Sequence, residues 1–385
     1  MKGGVHFPGL NGLRFFAAMA VAVSHVELMK QYHGLPSGYD DPALYELGRL
    51  AVTLFFVLSG YLITYLLLVE KQVTGTIDVR GFYVRRMLRI WPLYFLVVLL
   101  SFLLFPRLGI MEIPKYTAAI GEHVTITLPL FLLFLPQAAL SVFDPVPFAE
   151  PAWSIGVEEQ FYLLWPLLLK KFRRLVPVAI VVGLLVVAAR YGALFAAQAS
   201  VGDPAALQFW NRAINYFYFT RMECMAIGAL FAWIVFAKKR ALLDFLHNRF
   251  VQAVVYAITA YLLVTDNGKP IFSYGWYSVC FGVLILNVST NERTLIALRA
   301  PLFEFLGRIS FSIYMFHEVA IQLTLKTLGA SSNVVLYSVS LVLTLAMASA
   351  VYVWYERPFL RLKSRYAVIP SGDDAAVPLP VPRTA

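Results

Sequence analysis

Apolar runs of about 20 residues recur along this chain, near 10–29, 48–69, 82–105, 120–140, 153–169, 175–196, 212–236, 250–265, 272–289, 301–325 and 334–355. A run of that length matches the thickness of a bilayer's hydrocarbon core when helical. Backbone polar groups have no water partner there, so only helices or closed barrels can cross. The runs therefore predict an all-α polytopic membrane protein.

The composition agrees. Of 385 residues, 60% are hydrophobic and 14% charged, and the mean hydropathy is +0.71. A soluble domain is about half apolar and a quarter charged, so too little polar surface exists here to cover a water-soluble body. The net charge of +10 does not point to nucleic acid, because the basic residues sit in short connections between apolar runs, where the positive-inside bias puts them. The two cysteines, Cys224 and Cys280, lie in apolar segments far apart. Neither a disulfide framework nor a thiolate metal site follows, and no metal is expected. Arg14 interrupts the first apolar run and further runs follow, which argues against a signal peptide.

Charge also orders the runs. Basic clusters lie at Lys71/Arg80/Arg85/Arg86/Arg89, Lys170/Lys171/Arg173/Arg174, Lys238/Lys239/Arg240, Arg293/Arg299 and Arg357/Arg361/Lys363/Arg365. Placing them in the cytoplasm makes every run alternate except 120–140, which must enter and leave on one side. That run contains Pro129 and Pro136 and is expected to be re-entrant or interfacial. The expectation is ten transmembrane helices in a membrane domain over 1–357, both termini cytoplasmic, and a disordered cytoplasmic tail over 358–385.

Charged groups inside such helices cost at least about 2.5–3.5 kcal/mol each and ask for a partner or a task. Arg14 and His25 are eleven residues apart, about three turns and 16 Å of helix, and so share a face. They line a pathway, or Arg14 snorkels and His25 is a satisfied core histidine. In "FYVRRMLRIWPLYF", Arg85, Arg86 and Arg89 form a cationic face at a predicted span's inner end. Guanidinium pairs suit phosphates, although ordinary positive-inside charge gives the same pattern. In "PAWSIGVEEQFYLLWP", Glu158 and Glu159 sit near a span's outer end, where either a catalytic carboxylate or a capping box with Ser154 accounts for them. His317, in "RISFSIYMFHEVAIQL", lies level with His25, and Arg221 with Glu223 reads as a structural ion pair.

Together, "GLRFFAAMAVAVSH", "FFVLSGYLIT", "RMLRIWPLY", "WSIGVEEQFYLLWP" and "SFSIYMFH" closely resemble, in order from about Pro8 to Pro358, the acyltransferase-3 family of integral membrane acyltransferases. The resemblance implies transfer of an acyl group, often acetyl, from acyl-coenzyme A to a hydroxyl of a glycan, glycolipid or other cell-surface molecule. The family's Arg/His pair falls on Arg14 and His25, and its paired arginines on Arg86 and Arg89. Its tryptophan motif falls on Trp153, Ser154, Ile155 in place of Leu, Glu158, Phe161 and Tyr162, and its last histidine is His317. Some relatives carry an added extracytoplasmic esterase-like domain. None is visible here, so the membrane domain is expected to complete the transfer itself.

Spacing and resemblance converge on a two-ended site. Acyl-CoA enters as a co-substrate rather than a resident cofactor. Arg86, Arg89, Arg85 and Arg14 are expected to hold its phosphates at the inner mouth of a tunnel. His25 would act at the far end as general base, oriented by Glu158 in the manner of a hydrolase triad, with His317 as second choice. Trp153, Ser154, Glu159, Tyr162 and Arg221 are expected to support the site. The expected partners are the lipid bilayer and a carbohydrate or lipid-linked acceptor. The rival readings are a transporter or flippase using the same groups as a proton relay, or an acyltransferase for a small cytoplasmic metabolite such as a macrolide.

Overall fold

The computed structural model describes residues 5–265, 270–329, 331–366 and 368–369. They form sixteen α-helices, a few short π- and 3-10 turns and no sheet: α1 (Leu10–Tyr32), α2 (Pro42–Thr74), α3 (Val79–Leu99), α4 (Pro114–Leu132), α5 (Pro136–Leu140), α6 (Ala152–Lys171), α7 (Leu175–Ala199) and α8 (Pro204–Phe219) make the first half. The second half holds α9 (Met222–Phe236), α10 (Arg240–His247), α11 (Arg249–Thr265), α12 (Pro270–Thr290), α13 (Pro301–Arg308), α14 (Ser310–Leu328), α15 (Asn333–Val351) and α16 (Arg357–Ser364).

Local signals account for several boundaries. Asp41 caps α2 by accepting from the Ala43 amide, with Pro42 in the first turn, where its missing N–H costs nothing. Asp78 caps α3 through the Gly81 amide, and Gly75, at φ 80°, ends α2 in a left-handed conformation that side chains resist. Past Leu99, α3 widens into a π-turn over Leu100–Leu104 and continues to Arg107.

Among the described residues, six helices are long and apolar enough to cross a membrane: Leu10–Tyr32, Pro42–Thr74, Val79–Arg107, Leu175–Ala199, Pro204–Phe236 and Asn333–Ser364. A seventh arises if α10 and α11, bent by 64°, count as one span. The expected ten are therefore not reached on length and apolarity. The runs at 153–169, 272–289 and 301–325 are helical, but α6 and α14 spend their length on polar and charged residues that face the protein. On α14, Ser310, Ser312, His317, Glu318, Gln322 and Thr324 are all buried. The outward faces elsewhere are apolar, with Val181, Leu184, Leu185 and Phe195 of α7 exposed, as a lipid-facing surface requires.

The run at 120–140 is broken, as its prolines suggest. α4 ends at Leu132, Phe134 takes a left-handed φ of 58°, and α5 follows. The break is packed into protein. Gln160 donates to the Phe134 carbonyl at 3.0 Å and Tyr94 to that of Phe131 at 2.7 Å, so the irregular backbone finds partners without solvent. The tail boundary needs correction: residues 358–364 are helical, within α16, which packs on α3. Most of the remaining tail lies outside the described residues.

Two close approaches build the centre. A methyl at Gly60 of α2 would strike the Met225 carbonyl, and one at Gly228 of α9 would strike that of Val57, so these helices touch backbone to backbone. α1 lies against both α2 and α14. This contact brings the face carrying Arg14 and His25 against the face of α14 carrying Tyr314, His317 and Glu318.

Candidate active site

At the N-terminal end of α1, two adjoining cavities share Arg14, Arg86, Arg89, Leu62 and Ile63. One opens toward Val5, His6 and Phe7. The other runs deeper between α2, α6 and α14 and encloses about 770 Å³ of empty space, counting open solvent at its mouth. Its walls include Ser59, Ser154, Glu158, Tyr162, Ser310 and Tyr314. Three guanidinium groups thus line one void, and the buried Nε of Arg86 has no hydrogen-bond partner among the described residues. Like charges gathered around a cavity with an unsatisfied donor suit a polyanion with several oxygen acceptors.

Arg85 does not join them. It donates to Glu70 at 3.1 Å and to the Tyr366 carbonyl at 3.0 Å, so its place in the expected phosphate set is corrected. Helix spacing alone does not separate it, since Arg85 and Arg89 are four residues apart and neighbours on the helix; the Glu70 carboxylate of α2 draws the Arg85 guanidinium away.

Glu158 also differs from expectation. It does not reach His25. Its carboxylate accepts from Ser59 at 2.6 Å and from Tyr162 at 3.1 Å inside the arginine-lined cavity. The capping alternative fails too, because α6 has no side-chain cap and Ser154 instead contacts the Tyr314 hydroxyl at 2.7 Å and donates to the Pro151 carbonyl at 3.2 Å. Glu159 accepts from the Trp91 indole at 3.0 Å. Trp153 packs between Phe56 and Phe219, with Arg221 over its ring.

The carboxylate beside His25 is Glu318. His25 Nδ1 lies 2.9 Å from Glu318 Oε1 and 2.9 Å from His317 Nε2, and His317 Nδ1 lies 2.7 Å from the Tyr314 carbonyl. His25 is partly exposed, with 15% of its side chain accessible, against 2% for Glu318. Glu318 was legible in principle: it follows His317 directly, and two adjacent residues of one helix can both face a neighbour across a groove. A second unanticipated group is Glu150, in the loop before α6, which accepts from the Tyr32 hydroxyl at 2.8 Å. Burial, and then the Glu318 carboxylate, push Glu150 up to about 7.

The expectation of one open tunnel from the arginines to His25 is also modified. The deep cavity reaches Tyr314, but His25 and His317 are not in its wall. Tyr314 stands at that end, its ring 6.0 Å from the His317 ring and 5.8 Å from Phe55. Its hydroxyl is held by Ser154 and by the Pro151 carbonyl. His25, His317 and Glu318 place one ligand atom each within 4.8 Å of one another and could hold a metal ion.

The expected Arg221–Glu223 pair does not form either. Glu223 pairs with Arg190 at 2.6 Å. Arg221 donates to the Tyr218 and Arg49 carbonyls and to Thr53, and its guanidinium lies 3.8 Å from the centre of the Tyr274 ring. A lone arginine inside the apolar run 175–196 was the available signal for this pairing.

Comparison with known proteins extends the picture. The acyltransferase domain family known as acyltransferase-3 matches residues 7–353. The O-acetyltransferase OatA of Staphylococcus aureus, strains NCTC 8325 and MRSA252, is 27% identical over 381 residues, covering 92% of this chain and 57% of the relative. The chain thus spans little more than half the length of these curated relatives. No solved structure matches it.

Proposed function

This chain belongs to the acyltransferase-3 family, and we propose that it is a membrane O-acyltransferase that moves an acetyl group from acetyl-CoA to a hydroxyl of a cell-envelope glycan or glycolipid. The observation that carries the reading is the pairing of a cavity lined by Arg14, Arg86 and Arg89 with His25, about 16 Å beyond Arg14 along α1 and bonded to Glu318 of α14. The relatives' names support acetyl as the group and oxygen as its destination.

In this reading the guanidinium groups bind the phosphates of CoA at a cytoplasmic mouth, and the thioester arm runs along the deep cavity toward Tyr314. His25 takes the acceptor hydroxyl's proton as the oxygen attacks the thioester carbonyl. The carboxylate of Glu318 stabilises the imidazolium so formed. The C–O bond forms, the C–S bond breaks, and the departing CoA sulfur receives the proton from His25. Tyr314 must swing aside for the thioester to meet the acceptor, and a closed phenol keeps water from the donor meanwhile. Glu158 then belongs to the donor side, where its negative charge balances the arginines.

The test is direct. Purified protein in lipid vesicles is given labelled acetyl-CoA and the envelope glycan fraction of a strain lacking the gene. Label entering base-labile esters on the glycan supports the reading, whereas intact acetyl-CoA contradicts it.

A further inference from the structure

His25 Nδ1 touches two groups at once, and the proton count around it has only one solution when both rings are neutral. The Tyr314 carbonyl can only accept, so His317 Nδ1, at 2.7 Å, must carry the hydrogen. A neutral imidazole carries one N–H, which leaves His317 Nε2 as a bare acceptor. That acceptor lies 2.9 Å from His25 Nδ1, so His25 Nδ1 must be the donor, and the same N–H also points at Glu318 Oε1, 2.9 Å away. The remaining nitrogen, His25 Nε2, then holds a free lone pair and has no hydrogen-bond partner among the described residues.

We propose that His317 is a positioning residue that locks the tautomer of His25, relaying the fixed polarity of the Tyr314 carbonyl so that His25 Nε2 is always the basic nitrogen. The proposal rests on the acyltransferase reading given above, in which His25 is the base, and assigns His317 no proton transfer of its own. During transfer, the acceptor O–H breaks as the new N–H forms at His25 Nε2. The resulting imidazolium then donates from Nδ1 to both Glu318 and His317. Without His317, a carboxylate alone still accepts from Nδ1, but the ring loses one of its two anchors and samples other orientations.

The experiment compares His317→Leu with His317→Gln in the full chain in vesicles. Glutamine keeps an oxygen acceptor near the place of Nε2 and cannot act as a base. Leucine should lower kcat about 10- to 100-fold with the acetyl-CoA KM unchanged, part of the roughly 100- to 10,000-fold that a general base contributes. Glutamine should recover activity to within about 5-fold of wild type, as expected for one restored hydrogen bond. Equal loss in both variants, a wild-type rate with leucine, or a donor KM that moves with kcat each overturns the proposal. Should the leucine variant fail to fold, nitrogen NMR of histidine-labelled wild type decides: hydrogen on His25 Nδ1 is expected, and hydrogen on Nε2 overturns it. Retained transfer in His25→Ala would instead remove the base reading itself, so the two failures are distinguishable.

Discussion

Glu318 and His25, 293 positions apart, meet at 2.9 Å across the α1–α14 contact, while the Glu158 carboxylate turns the other way, into the arginine-lined cavity. The two carboxylates therefore divide the site. One sits with the histidines and the other with the cations.

That division predicts different kinetic losses. Glu318→Gln should cut kcat about 100-fold or more at unchanged acetyl-CoA KM, because it removes the counter-charge of a histidine that becomes cationic in the transition state. Glu158→Gln should act chiefly on donor KM. Steady-state kinetics with acetyl-CoA varied distinguishes the two, and an equal kcat loss from both would reject the division.

The arginines should be unequal as well. Arg86→Ala and Arg89→Ala are expected to raise the acetyl-CoA KM about 10- to 100-fold, the range for losing a hydrogen bond to a charged group. Arg85→Ala should leave it within about 2-fold, since that side chain is committed to Glu70. Titration of donor binding to the three variants checks the order.

Tyr314 yields a prediction about leakage. Tyr314→Phe removes the hydroxyl that Ser154 and the Pro151 carbonyl hold, a contact worth about 1 kcal/mol, and frees the ring to open. Hydrolysis of acetyl-CoA without acceptor should rise severalfold while transfer persists. Abolished transfer with no added hydrolysis would assign the phenol to the chemistry instead.

Glu150 makes stability depend on pH. Its folded carboxyl is pushed up to about 7 by burial first, from a reference of 4.5. The stability linked to its retained proton is fully present below about pH 4.5 and is lost as pH rises through about 7. Glu150→Gln cannot lose a proton, so its thermal midpoint should gain on wild type between pH 5 and pH 8. Parallel pH curves for the two proteins would contradict this.

Much of the fold and part of the site could be read from residue order. Apolar runs placed the long helices, because bilayer thickness fixes their length, and the three-residue step between Arg86 and Arg89 placed both in one cavity. The polar-lined helices were harder. On α14 the buried His317 and Glu318 both bond His25 of α1, and Ser312 bonds Glu356, so hydropathy along the sequence understates how such a helix is held. Partner choice was least legible. Helix spacing set faces within α1 and α6, but which carboxylate meets His25 depends on how α14 is rotated against α1, and no local pattern encodes that rotation. The lone arginine in the run 175–196 marked Arg190, but that Glu223 is its partner depends likewise on how α7 sits against α9.

The most direct measurement pairs equilibrium binding of acetyl-CoA with single-turnover transfer in His25→Ala. The account predicts donor affinity within about 2-fold of wild type and transfer reduced at least about 100-fold. Lost donor binding, or transfer that survives the substitution, would contradict it.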